Sequence, residues 1–224
     1  SVIIPAHNEE NYIRQTLHSL KLQTFQNYEA IVISNGSTDK TEEIVGKRVD
    51  EKLKYFSIPQ ANVSIARNYG VKFAQGDILL FLDADTLLAQ DTLQKINQEF
   101  IPEYSVATTL SVPDVNRLKF KTAMGFKNFY TKFKIYEGCS GALICRKTDF
   151  EKVGGYPELK VKEHRKLILK LKEFGKYKCI NTYVISSMRR FKKWGLSKAA
   201  IYWLGQWLKN YFGDLRESEY EKIR

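Results

Sequence analysis

Apolar residues along the first third of the chain come in short unbroken runs. Residues 2–4 (Val-Ile-Ile) form one such run, closed by Pro5. Residues 30–34 (AIVIS) and 77–82 (DILLFL) form two more. Runs of this length predict strands buried on both faces. Between the first two, Ile13, Leu17 and Leu20 recur at helical spacing. Asn8 is placed to cap that helix, with Glu9 and Glu10 in its first turn. Helices are also expected over 42–48 and 64–74, and a strand over 54–58. Strands alternating with helices predict an α/β fold: a Rossmann-like, mostly parallel mixed sheet flanked by helices. Ligands of such sheets gather at the carboxyl ends of the strands. The polar loops 7–9, 35–41 and 83–86 all fall at those ends.

The pattern beyond residue 100 is less regular. Strands are expected over 106–112, 142–146 and 178–187, and a basic helix over 163–174. Phe126, Phe129, Tyr130 and Phe133 stand at helical spacing among lysines. The segment 196–212 is amphipathic: Leu196, Ala199, Ala200, Trp203, Leu204, Trp207, Leu208 and Tyr211 repeat on one face. No internal repeat interrupts the chain, and no linker rich in Pro, Gly or Ser.

Composition narrows the class. The chain has 224 residues, 43% of them hydrophobic, enough for a full core without disulfides or metals. Disordered and collagen-like readings are excluded. Three cysteines without CxxC spacing exclude a disulfide scaffold and a zinc ribbon, and make a reducing, cytoplasmic compartment the default. No run of 18 apolar residues predicts a bilayer span. No signal-peptide pattern opens the sequence, and Ser1 already lies in the first strand, so the natural N-terminus is expected to be trimmed. Charge is polarised. Residues 160–224 carry 17 basic and 6 acidic side chains, whereas 1–159 carry 19 of each. The excess suggests an anionic partner for the C-terminal end, or a solvated lysine-rich surface.

Asp83 and Asp85 leave the strand over 77–82 with one residue between them. Two carboxylates there are costly unless a cation compensates, and a divalent metal is the natural one. Hard oxygen ligands select Mg²⁺ or Mn²⁺, ions that also bind phosphates.

The ordered set SVIIPAHNEE, IVISNGSTDKT, SIARNYG and GDILLFLDADT resembles the family 2 glycosyltransferases of the GT-A fold, over roughly residues 1–190. That resemblance implies a metal-dependent, inverting enzyme that uses a nucleotide-diphosphate sugar, with a UDP-sugar slightly favoured. It implies that Pro5, Ala6, Asn8, Glu9 and Asn35 line the nucleotide pocket. Asp39 would accept from a base N–H, or would only cap a helix. Arg67 would contact the base or a phosphate, or form an ion pair. Asp83 would lie by the ribose and metal, and Asp85 would bind the metal (Mn²⁺ or Mg²⁺) and serve catalysis.

The family's Glu-Asp pair is represented here by Glu163-His164, after Val161-Lys162, so His stands where the usual base would be. Glu163 or His164 could act as base, and a phosphate acceptor would need none. Gly138-Cys139-Ser140-Gly141 resembles the turn under the acceptor, with Cys139 taken as packing. Arg189 and Arg190 are candidate diphosphate or lipid-phosphate contacts.

The implied organisation is a domain over 1–190, with a nucleotide-sugar half (1–112) and an acceptor half (113–190), then a basic helical extension over 191–224. The expected acceptor is a polyprenyl phosphate, a lipid-linked saccharide or a glycan. The protein would sit peripherally on the cytoplasmic membrane face, its last helix lying in the interface or packing on the domain or in a dimer, and Phe126–Phe133 invites the same pair of readings. A sugar-phosphate nucleotidyltransferase would need a Gly-rich phosphate loop after the first strand, which PAHNEE does not supply. A nucleic-acid-binding protein would need a recognisable module, and none is found.

Overall fold

The computed structural model describes residues 1–159 and 162–212; in the last helix the side chains of Leu196, Ala200, Trp203, Leu204 and residues 206–212 lie outside that description. The first half alternates as the pattern predicts: β1 (Val2–Ala6), α1 (Ile13–Lys21), β2 (Ala30–Asn35), α2 (Thr41–Gly46), β3 (Leu53–Ile58), α3 (Val63–Val71) and β4 (Ile78–Phe81). The second half adds β5 (Thr86–Leu88), α4 (Thr92–Glu99), β6 (Tyr104–Pro113), α5 (Leu118–Lys132), β7 (Leu143–Arg146), α6 (Lys147–Lys152), α7 (Glu163–Leu171), β8 (Lys176–Ser186) and α8 (Arg189–Phe212).

All eight strands join one sheet in the order β3-β2-β1-β4-β7-β6-β8-β5. β3, β2, β1 and β4 run parallel, and β7 lies antiparallel between β4 and β6. β6 and β8 are parallel, and β5 closes the edge antiparallel to β8. The sheet separates two apolar layers. Ile4, Val32, Leu80 and Ile144 face one layer with Leu17 and Leu20 of α1; Ile3, Ile31, Leu79 and Phe81 face the other with Ala66 of α3 and Leu167 of α7. Chain neighbours therefore enter opposite cores, which is why these strands read as unbroken apolar runs. Ile3, Ile4, Ile31 and Ile33 are fully buried, each worth about 1.5–3 kcal/mol of transfer free energy.

Three expectations change. The first strand runs through Pro5 to Ala6, with Pro5 opposite Ile33. Pairing with β4 ends at Ile3, where Leu82 N–H donates to the Ile3 carbonyl, so the missing proline N–H removes nothing from that ladder. Asn8 does not cap α1, which starts at Ile13 behind Tyr12 and has no acid in its first turn. Asn8 instead takes φ 55°, a left-handed conformation that asparagine tolerates, and its side chain is used by another loop. The last helix starts at Arg189, earlier than the predicted 196, and kinks at Gly195 (φ 77°, ψ 162°). Of its predicted apolar stripe, Ala199 is buried beside Trp194; Leu196, Ala200, Trp203, Leu204, Trp207, Leu208 and Tyr211 lie outside the described side chains. Val161 and the end of the 191–224 extension, 213–224, are also outside the described residues.

Candidate active site

The three loops expected at one sheet edge are stitched together there. Asn8 N–H donates to Ser37 Oγ at 3.1 Å, and Thr38 N–H donates to Asn8 Oδ1 at 2.7 Å. Glu9 N–H donates to Thr41 Oγ1 at 2.7 Å, and Glu10 N–H to Asp39 Oδ2 at 3.1 Å. Thr41 N–H donates to Asp39 Oδ1 at 2.9 Å, so Asp39, one residue before the Lys40 N-cap, meets the start of α2 as well as joining two loops. Desolvation works against its ionisation, but these bonds outweigh it and hold the carboxyl below the usual range. Pro5 and Ala6 are buried at the end of β1. At the end of β2, the Asn35 carbonyl lies 2.7 Å from His7 Nδ1, and Asn35 Oδ1 is buried without a hydrogen-bond partner. A buried acceptor of that kind is costly until a donor reaches it.

Arg67 organises the centre of this edge. Asn62 caps α3 by accepting from Ser64 and Ile65 N–H groups at 2.9 and 3.2 Å. Arg67 follows in the second turn and is only 2% exposed. One terminal nitrogen donates to Asp83 Oδ1 at 2.8 Å and the other to Glu163 Oε1 at 2.9 Å, while the guanidinium lies 5.1 Å from the Tyr156 ring centre. Of the two expectations for Arg67, the structure shows the ion pair, here a buried double one, and Nε is buried without a hydrogen-bond partner. Desolvation raises Asp83, the adjoining Arg67 charge outweighs it, and the net shift is downward.

The sequence assigns Tyr156 no role and marks Asn68 only beside Arg67 in SIARNYG, and both shape the site. Asn68 brackets the Tyr156 backbone, donating to its carbonyl at 2.9 Å and accepting its N–H at 2.8 Å. Gly155 makes room: its φ is +74°, and a Cβ there would stand 2.7 Å from Asn68 Oδ1. The Tyr156 hydroxyl lies 2.9 Å from His164 Nδ1. Burial lifts the phenol well above its ordinary value, so the hydroxyl keeps its proton, and the direction of its bond with Nδ1 follows the imidazole tautomer. Burial, then the charge of Arg67, pushes His164 down to about 4. The ring is neutral at physiological pH, with Nε2 3.8 Å from Glu163 Oε1. No periodicity joins Tyr156 to His164.

The third element of the site is the Asp85 corner. Arg189, at the start of α8, forks onto both oxygens of Glu9 at 2.7 and 2.6 Å and reaches Asp85 Oδ2 at 3.1 Å. It also lies 4.6 Å from the Tyr12 ring centre. Glu9 is therefore a buried partner of Arg189 rather than an open pocket wall. Arg190 stands 5.7 Å from the Trp194 ring centre, in the field of Asp85 and Asp83. Burial raises Asp85 to about 6; Arg189 opposes the shift, and the charges of Asp83 and Glu9 add to it. Enclosure first, and then the neighbouring carboxylates, disfavour a bare charge on Asp85, a setting that a divalent cation would relieve. Among the described residues no three His, Cys, Asp or Glu side chains converge on one point. Asp83 and Asp85 suit an ion that takes its other ligands from phosphate and water, as Mg²⁺ and Mn²⁺ do.

Beside this corner, the turn over 138–141 is held by Lys127, whose ammonium donates to the Ser140 carbonyl at 2.7 Å, and by Asn128, which accepts from Ser140 Oγ at 3.1 Å. Burial pushes Cys139 up to about 11, and its thiol donates to the Gly141 carbonyl, so it packs and is no nucleophile. A groove of about 700 Å³ along α1 and β5, lined by Arg14, His18, Lys21 and Arg48 among others, contains none of the site residues.

Comparison with known proteins agrees with this layout. The sequence model of glycosyl transferase family 2 matches residues 1–154, short of the expected 190 and of Glu163. An uncharacterized glycosyltransferase of Haemophilus influenzae is 42% identical over 98 residues, covering 42% of this chain and 39% of that protein. The minor teichoic acid biosynthesis protein GgaB of Bacillus subtilis is 31% identical over 118 residues, covering 50% of this chain and 13% of that protein. The chain thus spans well under half of either relative. Among solved structures, Staphylococcus aureus TarS 1–349 in complex with UDP-GlcNAc superposes with TM-score 0.64 at 25% identity, over 83% of this chain and 57% of that one. The mannosyltransferase PcManGT of Pyrobaculum calidifontis, in complex with GDP-Man and Mn²⁺, superposes with TM-score 0.72 at 17% identity, over 95% and 64%. With the GT-A arrangement of its sheet and a family match over more than half its length, the chain is a member of glycosyl transferase family 2.

Proposed function

We propose that this chain moves a sugar from a nucleotide-diphosphate donor to a glycan or lipid-linked acceptor, inverting the anomeric centre with help from Mn²⁺ or Mg²⁺. The observation that carries the reading is the Arg67 bridge. A single buried guanidinium holds Asp83, of the acidic pair, against Glu163, so donor and acceptor halves of the sheet edge meet at one point. Asp39, Asn35 and the Asn8 loop form the nucleoside side, where Asn35 Oδ1 offers an unmet acceptor. Asp83 and Asp85 would hold the cation, which supplies charge neutralisation to the diphosphate as it leaves. Arg190 supplies further positive charge at that corner.

In the transfer, the bond from the anomeric carbon to the diphosphate oxygen breaks as the acceptor oxygen bonds from the opposite face. A hydroxyl acceptor must then lose its proton. His164 is a poor recipient: Nδ1 is engaged by the Tyr156 hydroxyl, and burial beside Arg67 disfavours a second proton on the ring. Glu163 is the base this arrangement supports, with Arg67 fixing one of its oxygens. A phosphate acceptor would bypass the step. The neighbours' UDP-GlcNAc and GDP-Man support a nucleotide-sugar donor, and the relation to a teichoic acid protein supports a glycan acceptor.

Thermal unfolding with UDP or GDP, each with and without Mn²⁺, tests the reading. One diphosphate with Mn²⁺ is expected to raise Tm, since a ligand at a hundred times its Kd adds about 2.7 kcal/mol. Asp85→Asn is expected to erase the Mn²⁺-dependent part. A flat response to every pair would overturn the proposal.

A further inference from the structure

α5 has two apolar faces. Phe120, Met124 and Thr131 on one face are buried, and Phe120 and Met124 pack with Met188 and, through Phe120, with Phe191 of α8. On the opposite face Leu118 is 77% exposed, Phe126 68%, Phe129 51% and Phe133 62%. Positions 118, 126, 129 and 133 fall within about a quarter-turn of one another on the helix. The outer rings pack against one another: Phe129 and Phe133 centres are 4.7 Å apart, Phe129 and Tyr130 centres 6.0 Å. Isolated exposed apolar residues are ordinary; a contiguous aromatic row is not.

Charge identifies what covers it. Residues 115–136 contain six lysines and arginines and no aspartate or glutamate. Lys119, Lys121 and Lys132 flank the aromatic row on α5, and Lys134 follows it; all four are exposed. A row of phenyl rings edged by cations is the pattern of a helix lying in a membrane interface, rings toward the acyl chains and ammonium groups at the phosphates. The convex outer side of a helix also suits a planar surface. Saccharides and other small ligands are held in clefts.

We propose that α5 docks this protein on a bilayer rich in anionic phospholipid through Phe126, Phe129 and Phe133, with Lys119, Lys121 and Lys132 at the headgroups. The inner face of α5 rests on the start of α8, whose Arg189 holds Glu9 and Asp85, so a lipid surface would lie one helix layer from the transfer site. The inference deepens the lipid-linked acceptor reading and, of the two segments expected at a membrane, rests on α5 rather than on 196–212. Its physical basis is the helix surface, and its test uses no donor, so either proposal can fail alone.

The test is flotation with vesicles of phosphatidylcholine alone and with phosphatidylglycerol added. The wild-type chain should float only with the anionic vesicles and be released by salt. Phe129→Ser/Phe133→Ser should weaken binding about tenfold or more through lost apolar burial. Each Lys→Glu change at 119, 121 and 132 should weaken it roughly fivefold or more, since one basic residue at an anionic surface is worth about 1 kcal/mol. All these side chains are exposed, so an unchanged Tm confirms folding. Equal flotation of variants and wild type overturns the proposal. So does a wild-type chain indifferent to anionic lipid. A phenylalanine variant that changes the oligomeric state without vesicles would assign the face to a second copy. One that floats normally yet loses a soluble glycan acceptor would assign it to saccharide. Either result replaces the membrane reading.

Discussion

Asp85 and His164 are driven in opposite directions by the same enclosure. Asp85 rises from 3.8 to about 6, so its contribution to stability is complete below pH 3.8 and lost as pH climbs through 6. His164 falls from 6.5 to about 4, so its contribution is complete above pH 6.5 and lost as pH drops through 4. Each shift corresponds to roughly 3 kcal/mol. Over the shared window, about pH 4–6, the two slopes nearly cancel. Single variants should expose them. Between pH 7 and 5, Asp85→Asn should lose Tm on acidification more steeply than wild type, while His164→Gln should gain it; scanning fluorimetry across pH reads both. Parallel profiles for all three proteins would contradict the assignments. Activity separates the same neighbourhood differently. With a hydroxyl acceptor at saturation, Glu163→Gln should lower kcat by a factor on the order of 10² or more, the usual worth of a positioned base. His164→Gln should change kcat only a few-fold. A larger loss for His164→Gln would return the base to the imidazole.

At the scale of elements, legibility followed length and period. The apolar runs over 2–4, 30–34 and 77–82 led directly to β1, β2 and β4, because a strand buried on both faces carries its signal in every residue. β5, with three residues, and α6, with six, are shorter than the period that would reveal them. α4 offers only Leu93, Ile96 and its buried Thr92 to the core. Asp83, Asp85 and Glu163 were legible as chemistry, but the role of Arg67 was not, since its partners lie 16 and 96 residues away. Asn8 misled because the same side chain suits an N-cap and a left-handed turn. The cap that does position the site is Asn62, two bonds at the head of the helix that carries Arg67. Asn62→Ala should cost about 1 kcal/mol, or about 2–4 °C of Tm for a chain of this size, and weaken diphosphate binding along with stability. Asn62→Asp should restore both. If stability falls while diphosphate affinity is unmoved, α3 does not transmit its register to the site.

At the scale of the molecule, one contact joins distant parts of the described chain. Glu9 leaves the first strand, Arg189 opens the last helix, and 180 residues separate them. Glu9 is buried and Arg189 mostly so, hence removing either partner strands a charge, at a cost of about 3–5 kcal/mol where burial is complete. Glu9→Ala and Arg189→Ala should each lower the urea midpoint substantially. The double variant should then fall short of their sum by about 1.5–3 kcal/mol, the worth of a charged hydrogen bond. Arg189→Lys should recover only part, because an ammonium cannot bond both Glu9 oxygens in parallel as the guanidinium does. Asp85 adds a second consequence, since it shares Arg189 with Glu9 and is also the proposed cation ligand. A cation and diphosphate at Asp85 must compete with Arg189 for that carboxylate or draw Arg189 onto the phosphate. In the first case Arg189→Ala tightens Mn²⁺-dependent nucleotide binding; in the second it weakens it. Titration calorimetry on a variant shown by its urea midpoint to be folded decides between them. Independence of Mn²⁺-dependent binding from Arg189 would mean that the C-terminal helix closes the fold without taking part in donor binding.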